Sequence, residues 1–127
     1  MKHLIITVTA ALLLMASGVH AHSHLEKSLP ANNSVVTTSP TEIKLHFSTV
    51  VRLTSITIQK DGEKEQRLRP ASAAAAKTAT APVSLLSPGK YLVAWHAVGE
   101  DGHAVSGKFH FTVTNERDLK KDARPLH

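Results

Sequence analysis

The chain has 127 residues, a formal net charge of +5 and no cysteine, which leaves room for one domain and excludes disulfides and thiol chemistry. Its Lys and Arg residues are scattered, with no basic stripe interleaved with aromatics, so nucleic acid is not implied and a solvated surface accounts for the charge.

The chain opens in the manner of an export signal. Lys2 supplies a short positive region, Leu4 to Ala16 an apolar run, and Val19-His20-Ala21 a small-residue cleavage site before His22. The apolar run is too short to span a bilayer comfortably. The expected organisation is a signal peptide over 1–21, a β domain over 22–114 and a flexible charged tail over 115–127. The mature protein would work outside the cytoplasm and begin at His22.

From His22 to Leu29 the pattern predicts a short strand, closed by Pro30 and a turn at Ala31-Asn32-Asn33-Ser34. After Ser39-Pro40, residues Thr41 to Phe47 alternate cleanly, with Ile43, Leu45 and Phe47 on one face and Glu42, Lys44 and His46 on the other. Leu53 to Gln59 reads as a separate strand with Ile56 and Ile58 facing the core. Asp61-Gly62 is a hairpin signal, and Glu63 to Leu68 is a charged edge strand. Pro70 to Pro82, with its four consecutive alanines, is low in information and reads as a loop. Val83 to Leu86 follows as a short strand, and Ser87-Pro88-Gly89 as a turn.

The stretch from Gly89 to Val113 reads as the hairpin around which the rest is organised. Tyr91, Val93 and Trp95, then Phe109, Phe111 and Val113, occupy alternate positions, the period of two that half-buried strands require. Trp95, the only tryptophan, reads as the central core aromatic. Some seven short strands with turns between them point to an all-β antiparallel sandwich.

Between the hairpin strands stand Asp101, Gly102 and His103. Glycine permits the positive φ of a tight turn, and residues i and i+2 can share a face, so a carboxylate and an imidazole can reach one point. Asp-Gly-His is also a common turn with an incidental histidine. Seven histidines follow residue 21, at 22, 24, 46, 96, 103, 110 and 127, and histidine is the commonest metal ligand. Cleavage before His22 would leave a free α-amine beside an imidazole. With His103 and Asp101 that makes three nitrogens and one oxygen, a tetragonal set that suits Cu(II) better than zinc or calcium. A second arrangement uses the same amine: His22-Ser23-His24 can wrap Cu(II) through the amine, two deprotonated amides and the His24 ring, and it needs no fold. His46, His96 and His110 fall on polar strand faces, and His127 in the tail. No serine-nucleophile elbow, phosphate-cradling glycine loop or H-E-x-x-H zinc motif is present.

These residues resemble the CopC family of periplasmic copper-binding and copper-resistance proteins, in particular its YobA-like branch. The likeness runs from His22-Ser23-His24-Leu25 and Ser28-Leu29-Pro30-Ala31-Asn32, through Ile43-Lys44-Leu45-His46-Phe47-Ser48, to Pro88-Gly89-Lys90-Tyr91-Leu92-Val93-Ala94-Trp95, Asp101-Gly102-His103 to Gly107, and Phe111-Thr112-Val113. It implies a seven-stranded immunoglobulin-like Greek-key sandwich or barrel. It further implies one Cu(II) per chain held by His22, Asp101 and His103, and a periplasmic monomer. That protein would serve copper resistance by buffering the metal or delivering it to an inner-membrane transporter of the CopD kind. The chain departs from the family at two places. Some relatives hold Cu(I) in a methionine-rich loop, whereas Met1 and Met15 are the only methionines here. The family often has an acidic residue after the Phe-Ser pair, where this chain has Thr49. Two other functions fit parts of the pattern: a histidine-brace copper oxidase, since an N-terminal histidine with a second histidine resembles that brace, and a structural sandwich without metal.

Overall fold

A computed structural model describes residues 23–115, so the expected signal peptide, His22 and all but the first residue of the expected tail lie outside the described residues. Seven strands follow in order: β1 (Leu25–Leu29), β2 (Ser34–Val36), β3 (Glu42–Lys60), β4 (Gln66–Arg67), β5 (Ala76–Pro82), β6 (Gly89–Gly99) and β7 (Ala104–Val113). They hydrogen-bond in the order β1-β3-β6-β7-β2, with β4 and β5 also paired to β3, and the sheet curls into a half-barrel. The all-β expectation holds. One pair departs from strict antiparallel order, because β2 runs parallel to β7.

The two strands predicted at 41–47 and 53–59 are a single 19-residue strand. The intervening Ser48 to Arg52 contains no glycine or proline and is rich in β-branched residues, so nothing ends the strand there. Instead it changes neighbours. Its first half lies between β1 and β5, and its second pairs with β6 and β4. Register shifts at His46/Val51 and Leu53/Ser55 mark the exchange, the local bend that a bulge produces.

The stretch read as a loop holds β5. Thr78 and Thr80 point outward while Ala79 and Ala81 turn to the core opposite Leu45 and Ile43, with Ala81 fully buried. Alanine can fill a core position where the facing side chains are large. The strand expected at 83–86 is absent: Val83 to Ser87 forms the connection to β6, and Leu85 stands almost wholly exposed. The edge strand expected over 63–68 shrinks to β4. The turn at 31–34 is present, closed by Ser34 N–H donating to Ala31 O at 3.0 Å with Asn33 at φ 64°. It steers the chain across to β7, where Asn33 N–H donates to His110 O and His110 N–H to Asn32 Oδ1.

The hairpin spans Gly89 to Val113, as the sequence pattern predicts. Residues pair from Gly89 with Val113 to Val98 with Ala104. Ile43, Leu45, Phe47, Ile56, Val93 and Phe111 are fully buried or nearly so. Trp95 meets Phe47 edge to face with centroids 5.0 Å apart, and Tyr91 stacks on Phe111 at 5.5 Å, both favourable ring geometries. Burial of this apolar set drives the fold. What positions the candidate site is a β6–β7 hairpin paired along its length and a β3 whose middle, at Val51, pairs with Gly99 near the tip of that hairpin.

Candidate metal centre

Residues 100–103 connect β6 to β7. Gly102 N–H donates to Gly99 O and Gly99 N–H to His103 O, each at 3.0 Å, and Gly102 has φ 81°, a conformation that glycine adopts without a Cβ penalty. The closed turn brings Asp101 and His103 together. Asp101 Oδ1 accepts the His103 backbone N–H at 3.0 Å, and Oδ2 lies 2.9 Å from His103 Nδ1. The backbone hydrogen bond from His103, followed by the ring contact, holds the Asp101 carboxyl below its ordinary value. An ionised carboxylate only accepts, so Nδ1 is the donor of this pair, which leaves Nε2 as the ring nitrogen that can offer a lone pair to a metal. That is the orientation a metal-bound imidazole has when a carboxylate supports it. Both side chains are exposed, so the donor atoms face solvent.

The first described residues arrive at the same turn. A Cβ on Gly99 would stand 3.0 Å from Asp101 Oδ1 and 3.0 Å from Ser23 Oγ. The two oxygens are therefore no more than twice that distance apart. Ser23 is fixed there by β3: its hydroxyl and that of Thr49 lie 2.5 Å apart. His24 follows, donating its backbone N–H to Ser48 Oγ at 3.0 Å and accepting Ser48 N–H on its carbonyl at 2.9 Å. Residue 22 is thus tethered by one peptide bond to a segment pinned beside Asp101 and His103.

Among the described residues no three His, Asp or Glu side chains are grouped so as to hold a metal. Asp101 and His103 are brought together, His24 is not grouped with them, and His22 lies outside the described residues. His46 lies on the polar face of its strand, partly exposed, and has neighbours there. Its Nδ1 lies 3.0 Å from Thr78 Oγ1, and its Nε2 is 3.6 Å from Glu26 on the neighbouring strand. His96 and His110 are exposed and not opposite one another, since His96 faces Ser106 and His110 faces Leu92. The side chains of Ser23 and Ser48 and the backbone at Gly99 carry no role in the sequence pattern, where Ser23 enters only through its amide and Thr49 only as a departure from an acidic residue; a glycine one residue outside the turn is the signal for close approach.

The CopC domain family matches residues 25–114. Protein YobA of Escherichia coli (strain K12) is 34% identical over 105 residues, covering 79% of this chain and 85% of that protein. Copper resistance protein C of Pseudomonas syringae pv. tomato is 31% identical over 118 residues, 85% of this chain and 93% of its own. Among solved structures, CopC from Methylosinus trichosporium OB3b superposes with a TM-score of 0.67 at 28% identity, over 84% of this chain and all of that one. PcoC, a methionine-rich copper resistance protein from Escherichia coli, gives 0.58 at 29%, over 74% of this chain and all of its own.

Proposed function

This chain belongs to the CopC family of copper-resistance proteins, and on that premise we propose that it binds one Cu(II) ion per chain at the tip of the β6–β7 hairpin. His22, made N-terminal by signal cleavage, supplies its α-amine and imidazole, His103 a ring nitrogen, and Asp101 a carboxylate oxygen. Nitrogen donors with one carboxylate suit Cu(II). Soft Cu(I) coordination has no thioether to use, since Met1 and Met15 both belong to the removed segment. In the described geometry Asp101 spends both oxygens on His103. To ligate directly, Oδ2 must leave Nδ1; otherwise Asp101 acts by holding the ring. Exposed donors on a surface turn suit ligand exchange, so the protein works in the periplasm by buffering copper or handing it to an inner-membrane transporter.

The observation that carries this reading is the approach of Ser23 Oγ and Asp101 Oδ1 to the same side of Gly99, each 3.0 Å from where a Cβ would stand, so the residue after His22 lies near the Asp101-His103 pair. The test is intact mass of the exported protein to establish its first residue, then Cu(II) titration of that protein and of Asp101→Ala with His103→Ala. Loss of the tight site in the double variant is expected; equal affinity in the two would refute the assignment. Nitrogen ligands bind metal only when deprotonated, so affinity falls between about pH 8 and pH 5.

A further inference from the structure

The sequence offers copper two incompatible chelates that share one amine, and the fold treats them unequally. The amide chelate needs the backbone nitrogens of Ser23 and His24 as ligands. A metal bound to a deprotonated amide occupies the direction its hydrogen held. For His24 that direction is filled: its N–H points at Ser48 Oγ, 3.0 Å away. The same residue's carbonyl accepts Ser48 N–H at 2.9 Å, and Ser23 Oγ is bonded to Thr49 Oγ1. Wrapping these residues around a metal therefore requires peeling 23–24 from the middle of β3.

We infer that Ser48 and Thr49 are specificity-determining positioning residues: they clamp the segment after the mature N-terminus to β3, disfavouring the amide chelate and leaving the His22 amine and ring to pair with Asp101 and His103. The inference deepens the copper reading above and rests on it for the identity of the favoured site. In the amide mode two backbone N–H bonds break, both nitrogens bind Cu(II), and both protons pass to the buffer; in the clamped mode those protons stay in place.

Both residues are half-buried and replaceable without cavities, as Ser48→Ala and Thr49→Val. One net hydrogen bond shifts an equilibrium about 2- to 12-fold, so removing both hydroxyls favours the amide mode by roughly 5- to 150-fold. Two backgrounds are measured with Cu(II) on the exported protein, its His22 start verified by mass. In Asp101→Ala with His103→Ala, adding Ser48→Ala and Thr49→Val should tighten copper binding by that factor, because only the amide chelate remains. Equal affinity with and without the added pair overturns the inference, whatever the fate of the hairpin site. In the otherwise native protein the same pair should release up to two more protons per copper and change the visible circular dichroism. Thr49→Ser with Ser48→Thr, which keep the hydroxyls, should restore the native proton count. An unmodified protein that already releases the two amide protons also overturns it. Failure of the hairpin assignment shows elsewhere, as equal copper affinity of the native protein and the Asp101→Ala, His103→Ala variant.

Discussion

Gly107→Ala is the sharpest test of how the hairpin is packed. Gly107 lies directly opposite Trp95 in the β6–β7 register, and the indole lies across its backbone. A Cβ there would meet Trp95 Cζ2 at 2.7 Å, Cε2 at 3.0 Å and Nε1 at 3.1 Å. The indole cannot swing aside freely: Trp95 is 3% exposed and packs edge to face on the buried Phe47 ring. Overpacking of this kind costs about 1–3 kcal/mol. For a domain of this size each kcal/mol lowers the melting midpoint by about 4–8 °C, so a fall of at least 4 °C is expected. Trp95 is the sole tryptophan, so its emission reports the displacement and the unfolding together. In a Trp95→Phe background, followed by circular dichroism, the same substitution should cost less, with a coupling of about 0.5–3 kcal/mol between the two sites. A Gly107→Ala protein with unchanged midpoint and emission would show that the indole does not rest on β7.

Two further outcomes follow from the hydrogen bonds. Asp101 has a depressed carboxyl value, so its contribution to the ordered turn is present above the ordinary 3.8 and is lost as the pH falls through its lower folded value. Carbon-detected NMR should give a midpoint below 3.8, and His103→Ala should raise it only part of the way, because the larger cause is the backbone N–H of residue 103, which alanine keeps; a native midpoint at or above 3.8 refutes the turn geometry. Tyr91 donates its hydroxyl to Ser87 O at 2.6 Å from a nearly buried ring, so Tyr91→Phe should cost about 0.5–1.5 kcal/mol in urea unfolding, and a neutral result would mean the bond is not made.

What could be read from the sequence was whatever repeats with a period of two around large side chains. Ile43, Leu45 and Phe47, and the run from Tyr91 to Trp95, announce their buried face because leaving such residues in water costs the most. β5 follows the same period but carries it on alanine and threonine, whose small difference in burial free energy makes the alternation easy to miss. The continuity of β3 was hidden because the change of neighbours at residues 46–55 leaves no mark like glycine or proline. The parallel course of β2 depends on where a turn aims the chain. At the candidate site, Asp101 and His103 were legible because a glycine joins them locally. The bond between Ser23 and Thr49 was not, since two small hydroxyl residues 26 positions apart share no pattern. For the same reason nothing in the sequence links His46 to Glu26 and Thr78, which β1 and β5 bring to it.

The two copper modes also make opposite demands on folding, and this gives a last prediction. A ligand stabilises the native state only by binding it more tightly than the unfolded chain, with a ceiling of about 2.7 kcal/mol at a concentration one hundred times the dissociation constant. In the proposed site, donors from residue 22 and from the turn at 101–103 could meet only with β6 and β7 paired and residues 23–24 docked on β3, as they are among the described residues. The hairpin site should therefore raise the melting midpoint on copper addition, by up to roughly 10–20 °C at that ceiling. The amide chelate of His22-Ser23-His24 is local in sequence and forms equally well in the unfolded chain. Bound that way, copper would leave the midpoint unchanged, or lower it, because the clamp on β3 must open in the native state and is already open in the unfolded one. A thermal melt of the exported protein with and without Cu(II) thus separates the two by the sign of the shift, and a midpoint that copper does not raise would remove the hairpin tip as the site that holds it.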